Sequence, residues 1–318
     1  MSNIINNEGV PYPIYKAVIN DGYTAGNADF SVTQLYDAPK KVYGDRIVAR
    51  NGTNKNISDV LDMFEGSITH EGMEYRLKDD KEFITEKRLF VNIKVGDQTI
   101  LLSGAFDCYC IPNKTLYDYK TTSAGGWKMR HKKMIQYSQQ VNIYRILMKL
   151  NSYEDPQSIK IIFFVKGWNQ IDAYSHDYPR SRFMEENVEK LSDEQVITLI
   201  KEKISILLQS STTPYAEIPY CSPEQRWEDP PVWKVCKLDF KGKEPVRPRA
   251  VPKGIFIEHE SAENFLKVKG KGYFIREFGG KPVRCLKYCQ VGKTGICRFL
   301  KEYEESEQEI PDEELFTK

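Results

Sequence analysis

The stretch LLSGAFDCYCIPNKTLYDYKTT, residues 101–122, decides the fold because it predicts a hairpin that carries three charged side chains. Pro and Asn in IPNK, between two apolar runs, favour a turn. Side chains alternate faces along a strand, so Asp118 and Lys120 share one face, and the hairpin brings Asp107 beside them. Two adjacent carboxylates predict an oxygen site for a hard divalent cation, next to a fixed ammonium group. Taken alone, the stretch is also compatible with an exposed hairpin that carries ordinary surface charges.

The composition is that of a globular protein with one main domain and an appended module. The chain has 318 residues, of which 40% are hydrophobic and 12% aromatic. We find no apolar run near the length of a membrane span, and the first residues lack a signal-peptide pattern, which predicts a cytoplasmic protein with no membrane partner. The net charge of +1 is uninformative, but residues 128–133 and 234–253 are basic and residues 302–315 are acidic.

The order of the predicted elements indicates an α/β core with a central mixed sheet flanked by helices. Residues 56–79 favour a helix or two, and two paired strands follow around the turn GDQ, with a third strand over TLYDYKTT. A long helix over 131–150 precedes a strand over 158–168, expected to be buried on both faces, and a capped helix over 192–209. Proline-rich segments then mark a boundary. We predict a core over residues 1–210 with an N-terminal helical segment, and a cysteine-containing module with an acidic tail over 211–318.

The long helix carries a polar stripe. Gln136, Gln140 and Tyr144 are four residues apart and therefore lie on one side of it. Their amide and phenol groups are suited to contacting a phosphate backbone or orienting a water, although a helix flank that faces solvent is the more common explanation of the isolated triplet. With Gln136, the basic residues at the start of this helix are candidate DNA contacts: Lys128, Arg130, Lys132 and Lys133.

The order of these motifs resembles the PD-(D/E)XK nuclease superfamily, in its RecB-like exonuclease branch. The resemblance covers roughly residues 57–165. It is carried by His70 in GSITHEGME, by Gly-x-x-Asp at the end of one strand, by Asp-Tyr-Lys in the next, and by QVNIY in the following helix. It implies a restriction-endonuclease-like core that includes the predicted sheet.

The resemblance also implies a role for each matching residue. His70, Asp107, Asp118 and the backbone carbonyl of Tyr119 would hold one or two Mg²⁺ or Mn²⁺ ions, and Lys120 would lie beside the attacking water. Gln140 and Tyr144 match the Gln-x-x-x-Tyr motif, which in that family lies by the active site and the DNA. Glu86, on the preceding strand, occupies a place where relatives often carry an acid.

Four cysteines after the core are candidate metal ligands. Cys285, Cys289 and Cys297 form C-x3-C-x7-C, and Cys221 offers a fourth thiolate. Four thiolates suit either an iron–sulfur cluster or tetrahedral zinc. The arrangement resembles the cluster-bearing members of the RecB-like branch, which implies a [4Fe-4S] cluster or, alternatively, Zn²⁺. It departs from them in that their first cysteine usually precedes the nuclease core.

The sequence therefore predicts a metal-dependent deoxyribonuclease, with an exonuclease of phage or prophage recombination or repair as the expected member of that class. The expected substrate is single- or double-stranded DNA, with a single-strand annealing recombinase as a candidate partner. The alternatives are a catalytically inactive DNA-binding or assembly protein on a nuclease fold, and a small-molecule metallohydrolase, which the sparse histidines disfavour.

Overall fold

The computed structural model describes residues 4–20, 26–245 and 248–308. The chain divides into two compact units. The large unit comprises residues 4–39 and 54–214, and the small unit contains residues 40–53 together with the chain from residue 215 onward. The acidic tail that the sequence indicates continues past residue 308 and so lies partly outside the described residues.

Helices and strands occur in both units. The strands of the described residues are, in chain order, β1 (Ile4–Ile5), β2 (Phe30–Ser31), β3 (Lys55–Asn56), β4 (Phe83–Val95), β5 (Gln98–Cys110), β6 (Thr115–Ser123), β7 (Ser158–Lys166), β8 (Phe183–Val188), β9 (Val232–Lys237), β10 (Ala250–Phe256) and β11 (Tyr273–Phe278). The α-helices of the same residues are α1 (Tyr12–Ile19), α2 (Pro39–Asn51), α3 (Ser58–Leu77), α4 (Arg130–Leu150), α5 (Asp193–Ser211), α6 (His259–Lys269), α7 (Val283–Lys287), α8 (Gln290–Lys293) and α9 (Phe299–Gln308).

The large unit is built on a mixed sheet. Its strand order is β2-β5-β6-β7-β8, and β4 pairs with β5 outside that path. The pairs β4/β5, β5/β6 and β7/β8 are antiparallel, whereas β6 and β7 are parallel and are connected through α4. The α/β class and the central mixed sheet flanked by helices are therefore confirmed.

Both predicted hairpins of this sheet form. Gly96 and Asp97 turn the chain between β4 and β5, and Gly96 has a φ of 58°, a left-handed conformation that glycine adopts without steric cost. The second hairpin joins β5 to β6, with Cys108 opposite Tyr117 as the last register pair before the two strands separate. Asp107 and Asp118 follow directly at this point of separation, which opens room beside their carboxylates.

Helix α4 changes character along its length. Its first turns are largely exposed, whereas residues 140–148 are all buried, because this part packs against the sheet and α5. The buried guanidinium of Arg145 is held by Asp155, at 3.1 Å, and by Asp193, at 2.8 Å. Ser192 caps α5 as expected, accepting from the backbone N–H of Gln195. The second half of α4 therefore has a fixed position on the sheet.

Strand β7 differs from its prediction. It was expected to be buried on both faces, but alternate residues such as Ile161 and Phe163 are buried while their neighbours are only half-buried. Aromatic contacts cover part of the half-buried face, as in the 5.4 Å ring pair of Phe164 and Phe183.

The small unit has its own sheet, with strand order β10-β9-β11 and both pairs antiparallel. Helix α6 packs on one face of that sheet. Residues 40–53 group with this unit, although the sequence alone assigned them to the core. The physical reason is apolar: Val48 packs with Cys289 and Val291 in one buried cluster.

No helix in the described part of the chain combines the length and apolar character needed to cross a membrane.

Candidate active site

Five charged or titratable side chains meet in one open cavity of the large unit, about 450 Å³ in volume. Helix α3 supplies His70, β4 supplies Glu86, β5 supplies Asp107, and β6 supplies Asp118 and Lys120. Gln140 and Tyr144 of α4 complete the predicted part of the wall. The large unit thus brings together residues separated by up to 74 positions in the chain.

His70, Glu86 and Asp107 form a compact ligand set. The Nδ1 atom of His70 lies 3.2 Å from Oε1 of Glu86 and 3.5 Å from Oδ1 of Asp107. One ligand atom from each of the three lies within 4.8 Å of the other two, the spacing at which a single ion is held. Carboxylate oxygens with one imidazole suit Mg²⁺ or Mn²⁺ better than they suit soft metals.

Glu86 reaches this cluster through a distortion of β4. Thr85 pairs with Cys108 and Lys87 with Phe106, so Glu86 lies opposite Asp107 in the register. Its φ is 45°, in the left-handed region that a residue with a Cβ rarely adopts. Such a conformation costs on the order of 1–3 kcal/mol and is concentrated at functional sites.

Asp118 and Lys120 form a buried ion pair beside the cluster. The Nζ atom of Lys120 lies 2.6 Å from Oδ2 of Asp118, and the Asp118 side chain is 2% exposed. Burial raises the pKa of Asp118 to about 6, with Lys120 opposing and Asp107 reinforcing that rise. Burial alone would lower the pKa of Lys120, but Asp118 and Asp107 outweigh it and raise that pKa. Lys120 is therefore a fixed cation at neutral pH.

Tyr119 orients the neighbouring groups through its backbone and its ring. Its N–H donates to Oδ2 of Asp107 over 2.5 Å. Its ring meets that of His70 edge to face, with the centroids 5.7 Å apart. Asp107 thus has one oxygen held by the backbone of β6 and the other directed at His70. The role of the Tyr119 carbonyl as a metal ligand stays a prediction.

The electrostatics of the cluster favour positive charge at its centre. Burial alone would lower the pKa of His70, but the carboxylates of Asp107 and Glu86 outweigh it and raise that pKa to about 10. Burial raises the pKa of Glu86, and Asp107 adds to this rise while His70 opposes it. The carboxylates attract positive charge strongly enough to hold a proton on a half-buried imidazole.

Gln140 and Tyr144 are buried on the α4 side of the cavity, whereas Gln136 is exposed. The Nε2 atom of Gln140 donates to Oη of Tyr144 over 2.9 Å. Burial raises the pKa of Tyr144 well above its usual value, so the phenol stays protonated. The predicted stripe is therefore divided between the cavity and the solvent.

The predicted basic DNA contacts lie around the start of α4. Lys128, Lys132 and Lys133 are exposed. Arg130 is partly buried, with its Nε 3.3 Å from Oε1 of Glu186 and its guanidinium 4.0 Å from the centroid of the Trp127 ring.

Sequence reasoning missed other residues of the cavity wall. Arg88 lines it and donates to Oγ of Ser103 over 3.4 Å, and Thr33 hydrogen-bonds to Tyr144. Glu71 and Glu74 of α3 also line it. The signal for Arg88 was available, since it lies two residues after Glu86 on a predicted strand, but Thr33 comes from a segment without a clear pattern.

The four candidate cysteine ligands line one small cavity in the small unit, together with Lys40 and Arg226. Burial raises the pKa of Cys285 to about 12, and the three neighbouring thiols add to this effect. In the described residues, no three of these sulfurs lie within 4.8 Å of one another. Tetrahedral zinc would bring them to about 3.8 Å, given Zn–S bonds of about 2.3 Å.

Comparisons with known proteins give no match among protein-family models or curated proteins. Among solved structures, the chain is similar to that of SSO0001, with 19% identity and a TM-score of 0.44 over 64% of this chain and 86% of that one. It is also similar to a phage-related exonuclease from Haemophilus somnus 129PT, with 16% identity and a TM-score of 0.35 over 54% of this chain and 79% of that one.

Proposed function

We propose that this protein is a metal-dependent deoxyribonuclease whose active site is the cavity around Asp107. The observation that carries the proposal is the joint presence of a three-residue ligand set, His70, Glu86 and Asp107, and a buried Asp118–Lys120 pair on the adjacent strand. A structural ion-pair network would not need a strained Glu86 directed at an acid. A cation site and a fixed ammonium group both promote hydrolysis of a phosphodiester, because each offsets the negative charge that develops on the phosphate.

The donor set fits Mg²⁺ or Mn²⁺. His70, Glu86 and Asp107 would hold one ion, and Asp118 would be shared with it or with a second. A bound ion would lower the pKa of a coordinated water and offset charge on the scissile phosphate. The backbone N–H of Tyr119 fixes Asp107 in the orientation that this binding needs.

Lys120 has a separate role in this proposal. Its ammonium is held by Asp118 and lies 5.1 Å from the ring centroid of Tyr137, so it has little freedom to turn away. From this position it orients the attacking water or stabilises its hydroxide form. Gln140 and Tyr144 contribute an amide and a protonated phenol for contacts to the DNA backbone.

The cavity favours a polyanionic polymer over a small molecule. It is open and lined mainly by charged and polar side chains, whereas small-molecule sites are mostly apolar and enclose their ligand. Exposed Lys128, Lys132 and Lys133 extend positive charge along the same unit. An exonuclease of phage or prophage recombination or repair, acting with a single-strand annealing recombinase, is the specific form of this proposal.

The cysteine site belongs to the same proposal. Four thiols around one cavity fit an anionic metal centre, since Lys40 and Arg226 also line this cavity, although Arg226 is paired with Glu228 at 2.6 Å and Lys40 donates to the carbonyl of Tyr215. The resemblance to the cluster-bearing members of the RecB-like branch favours a [4Fe-4S] cluster, with Zn²⁺ as the alternative. The centre would hold residues of the small unit together and takes no part in hydrolysis.

The test is digestion of end-labelled single-stranded, double-stranded and closed circular DNA with Mg²⁺, Ca²⁺ or EDTA. Wild type is expected to degrade linear DNA with Mg²⁺ and to spare closed circles. Asp118→Ala should abolish cleavage while keeping DNA binding, and Glu202→Ala, which changes an exposed acid on α5, should leave cleavage unchanged. Cleavage by Asp118→Ala at the wild-type rate would contradict the assignment, and rapid linearisation of closed circles would contradict the exonuclease form. A wild type that binds DNA but never cleaves it would favour the inactive alternative.

A further inference from the structure

One end of the small sheet carries an unusual concentration of lysines. The backbone N–H of Leu238, just after β9, donates to the carbonyl of Gly272, just before β11, over 2.9 Å. This bond brings together residues 237–243 and 267–272, which we call the lysine tip. The tip contains six exposed lysines: Lys237, Lys241, Lys243, Lys267, Lys269 and Lys271.

The turn that forms half of the lysine tip is rigid. The Oδ1 atom of Asp239 accepts from the backbone N–H groups of Lys241 and Lys243, each over 2.8 Å. The N–H of Asp239 donates to the carbonyl of Lys243 over 2.8 Å, and Gly242 takes a φ of 71°. Asp239 is the single acid of the tip, and its carboxylate is engaged by these backbone groups rather than by a lysine.

This rigid turn presents an aromatic ring to solvent. Phe240 is 93% exposed, the highest value among the large hydrophobic side chains of the described residues. The Nζ atom of Lys241 lies 5.4 Å from its ring centroid. Because the ring is almost fully exposed, it contributes very little buried apolar area to the fold. Its place among lysines, on a turn fixed by hydrogen bonds, therefore favours a ligand that offers an apolar face and negative charge together.

The charge of the surrounding segment points the same way. Residues 232–281 contain twelve lysines and arginines but six acids, although the whole chain has a net charge of only +1. Beside the tip, Lys234 and Arg276 are direct cross-strand partners in the β9/β11 pair, and like charges in that position are destabilising, although the Nζ atom of Lys234 also lies 3.7 Å from the ring centroid of Phe278. A polyanion would relieve this repulsion.

We infer that the lysine tip is a binding site for a single strand of nucleic acid, with phosphates at the lysines and a base stacked on Phe240. Positive charge that follows the backbone, combined with an aromatic platform, is how proteins bind single strands without reading sequence. A single strand fits better than a duplex, because the faces of paired bases are already stacked on one another. Naming DNA as the nucleic acid rests on the proposed function.

The test measures binding of a fluorescent 20-nucleotide single strand by anisotropy, in EDTA and over a range of salt concentrations. Lys241→Gln/Lys243→Gln should lower the slope of log K against log salt by about 1.4, since each phosphate contact on a single strand contributes about 0.7. Lys94→Gln/Lys201→Gln, which changes two exposed lysines of the large unit, should leave the slope at the wild-type value.

Replacement of the ring separates stacking from charge. Phe240→Ser should weaken single-strand binding by about 5- to 150-fold without changing the salt slope, and should weaken binding to a duplex of the same length much less. Val268→Ser removes an 85% exposed side chain that cannot stack, and should have no effect. Wild-type affinity in Phe240→Ser, or a wild-type slope in the double lysine variant, would overturn the inference.

Because the assay contains EDTA, its outcome does not depend on cleavage. Normal cleavage together with unchanged binding by the tip variants would contradict the proposed binding site at the lysine tip and would support the proposed nuclease function. If wild type never cleaves DNA but the tip variants lose single-strand binding, the proposed nuclease function is wrong and the proposed binding site at the lysine tip is supported.

Discussion

Gly104, three residues before Asp107, lets α4 approach β5 closely. A Cβ atom at this position would lie 2.8 Å from Cγ2 of Val32, 2.9 Å from Cε1 of Tyr144 and 3.1 Å from Cδ2 of Leu147. Ordinary contacts begin at 3.4 Å, so Gly104→Ala must move Val32 by about 0.6 Å and Tyr144 by about 0.5 Å. All three neighbours are buried and cannot turn away into solvent.

The expected cost follows from this overlap. Adding a methyl group to a well-packed core costs about 1–3 kcal/mol, and the loss of glycine freedom in the unfolded chain returns about 0.4–1 kcal/mol. We expect a net loss of about 1–2 kcal/mol, which lowers the Tm of a unit of this size by about 2–8 °C. Cleavage should also fall, because a shift of Tyr144 moves the phenol that accepts from Gln140.

Thermal melting in EDTA measures the first effect and single-turnover cleavage the second. Gly72→Ala is the matched control, since Gly72 lies within α3 with nothing within 4 Å of its Cβ position, and alanine there should raise stability by up to about 1 kcal/mol. If Gly104→Ala melts at or above the wild-type Tm and cleaves normally, the close approach of α4 to β5 does not constrain the site.

Three further predictions concern Lys120, His70 and Cys285. Lys120→Met should reduce the cleavage rate about 10²–10³-fold. A Mg²⁺ titration of that rate should give a midpoint within about twofold of the wild-type value. A shifted midpoint at the full rate would instead make Lys120 part of the metal site. Because folding raises the pKa of His70 to about 10, this residue should contribute stability in EDTA that is fully present below pH 6.5 and is lost as the pH rises through about 10. The free energies of unfolding of wild type and His70→Gln, measured with denaturant, should therefore converge toward high pH. A constant difference between them across this range would contradict the prediction. Cys285→Ser should remove iron or zinc from anaerobically purified protein, as measured by elemental analysis, and should lower the Tm more than Cys236→Ser does. If wild type contains neither metal and the two variants lose the same Tm, these cysteines are ordinary thiols.

The strand pattern predicted most of the site, since alternation along β6 is a local rule. Asp118 and Lys120, two residues apart, had to share a face, and the turn between β5 and β6 had to return the chain past Asp107. Gln140 and Tyr144 were also accessible from helical spacing, but the exposure of Gln136 was not. The residue at which a helix becomes exposed depends on how far the sheet extends beneath it, and the spacing of residues in the sequence does not indicate this.

Features that depend on distant segments could not be read in the same way. Helix α2 has few periodic apolar residues, and its Val48 is buried only because Cys289 and Val291 pack on it. The Phe240 turn has a local signal, the Asp-x-x-Gly of residues 239–242, but the sequence does not say that this turn lies beside Lys269 and Lys271. Only the pairing of β9 with β11 brings these two segments together.

Glu86 is the residue that completes the charge balance of the proposed active site. A metal-bound His70 must be neutral, which leaves the carboxylates of Glu86, Asp107 and Asp118 against the single ammonium of Lys120. The balance of three negative charges against one positive charge is −2, the charge that one divalent cation offsets. Without Glu86 the same groups would carry a net charge of −1, so a divalent cation would leave the site with an excess positive charge. The strained φ of 45° at Glu86 is consistent with a need for this third carboxylate. The local distortion of β4 is therefore best understood as the structural cost of placing a third carboxylate at the proposed cation site.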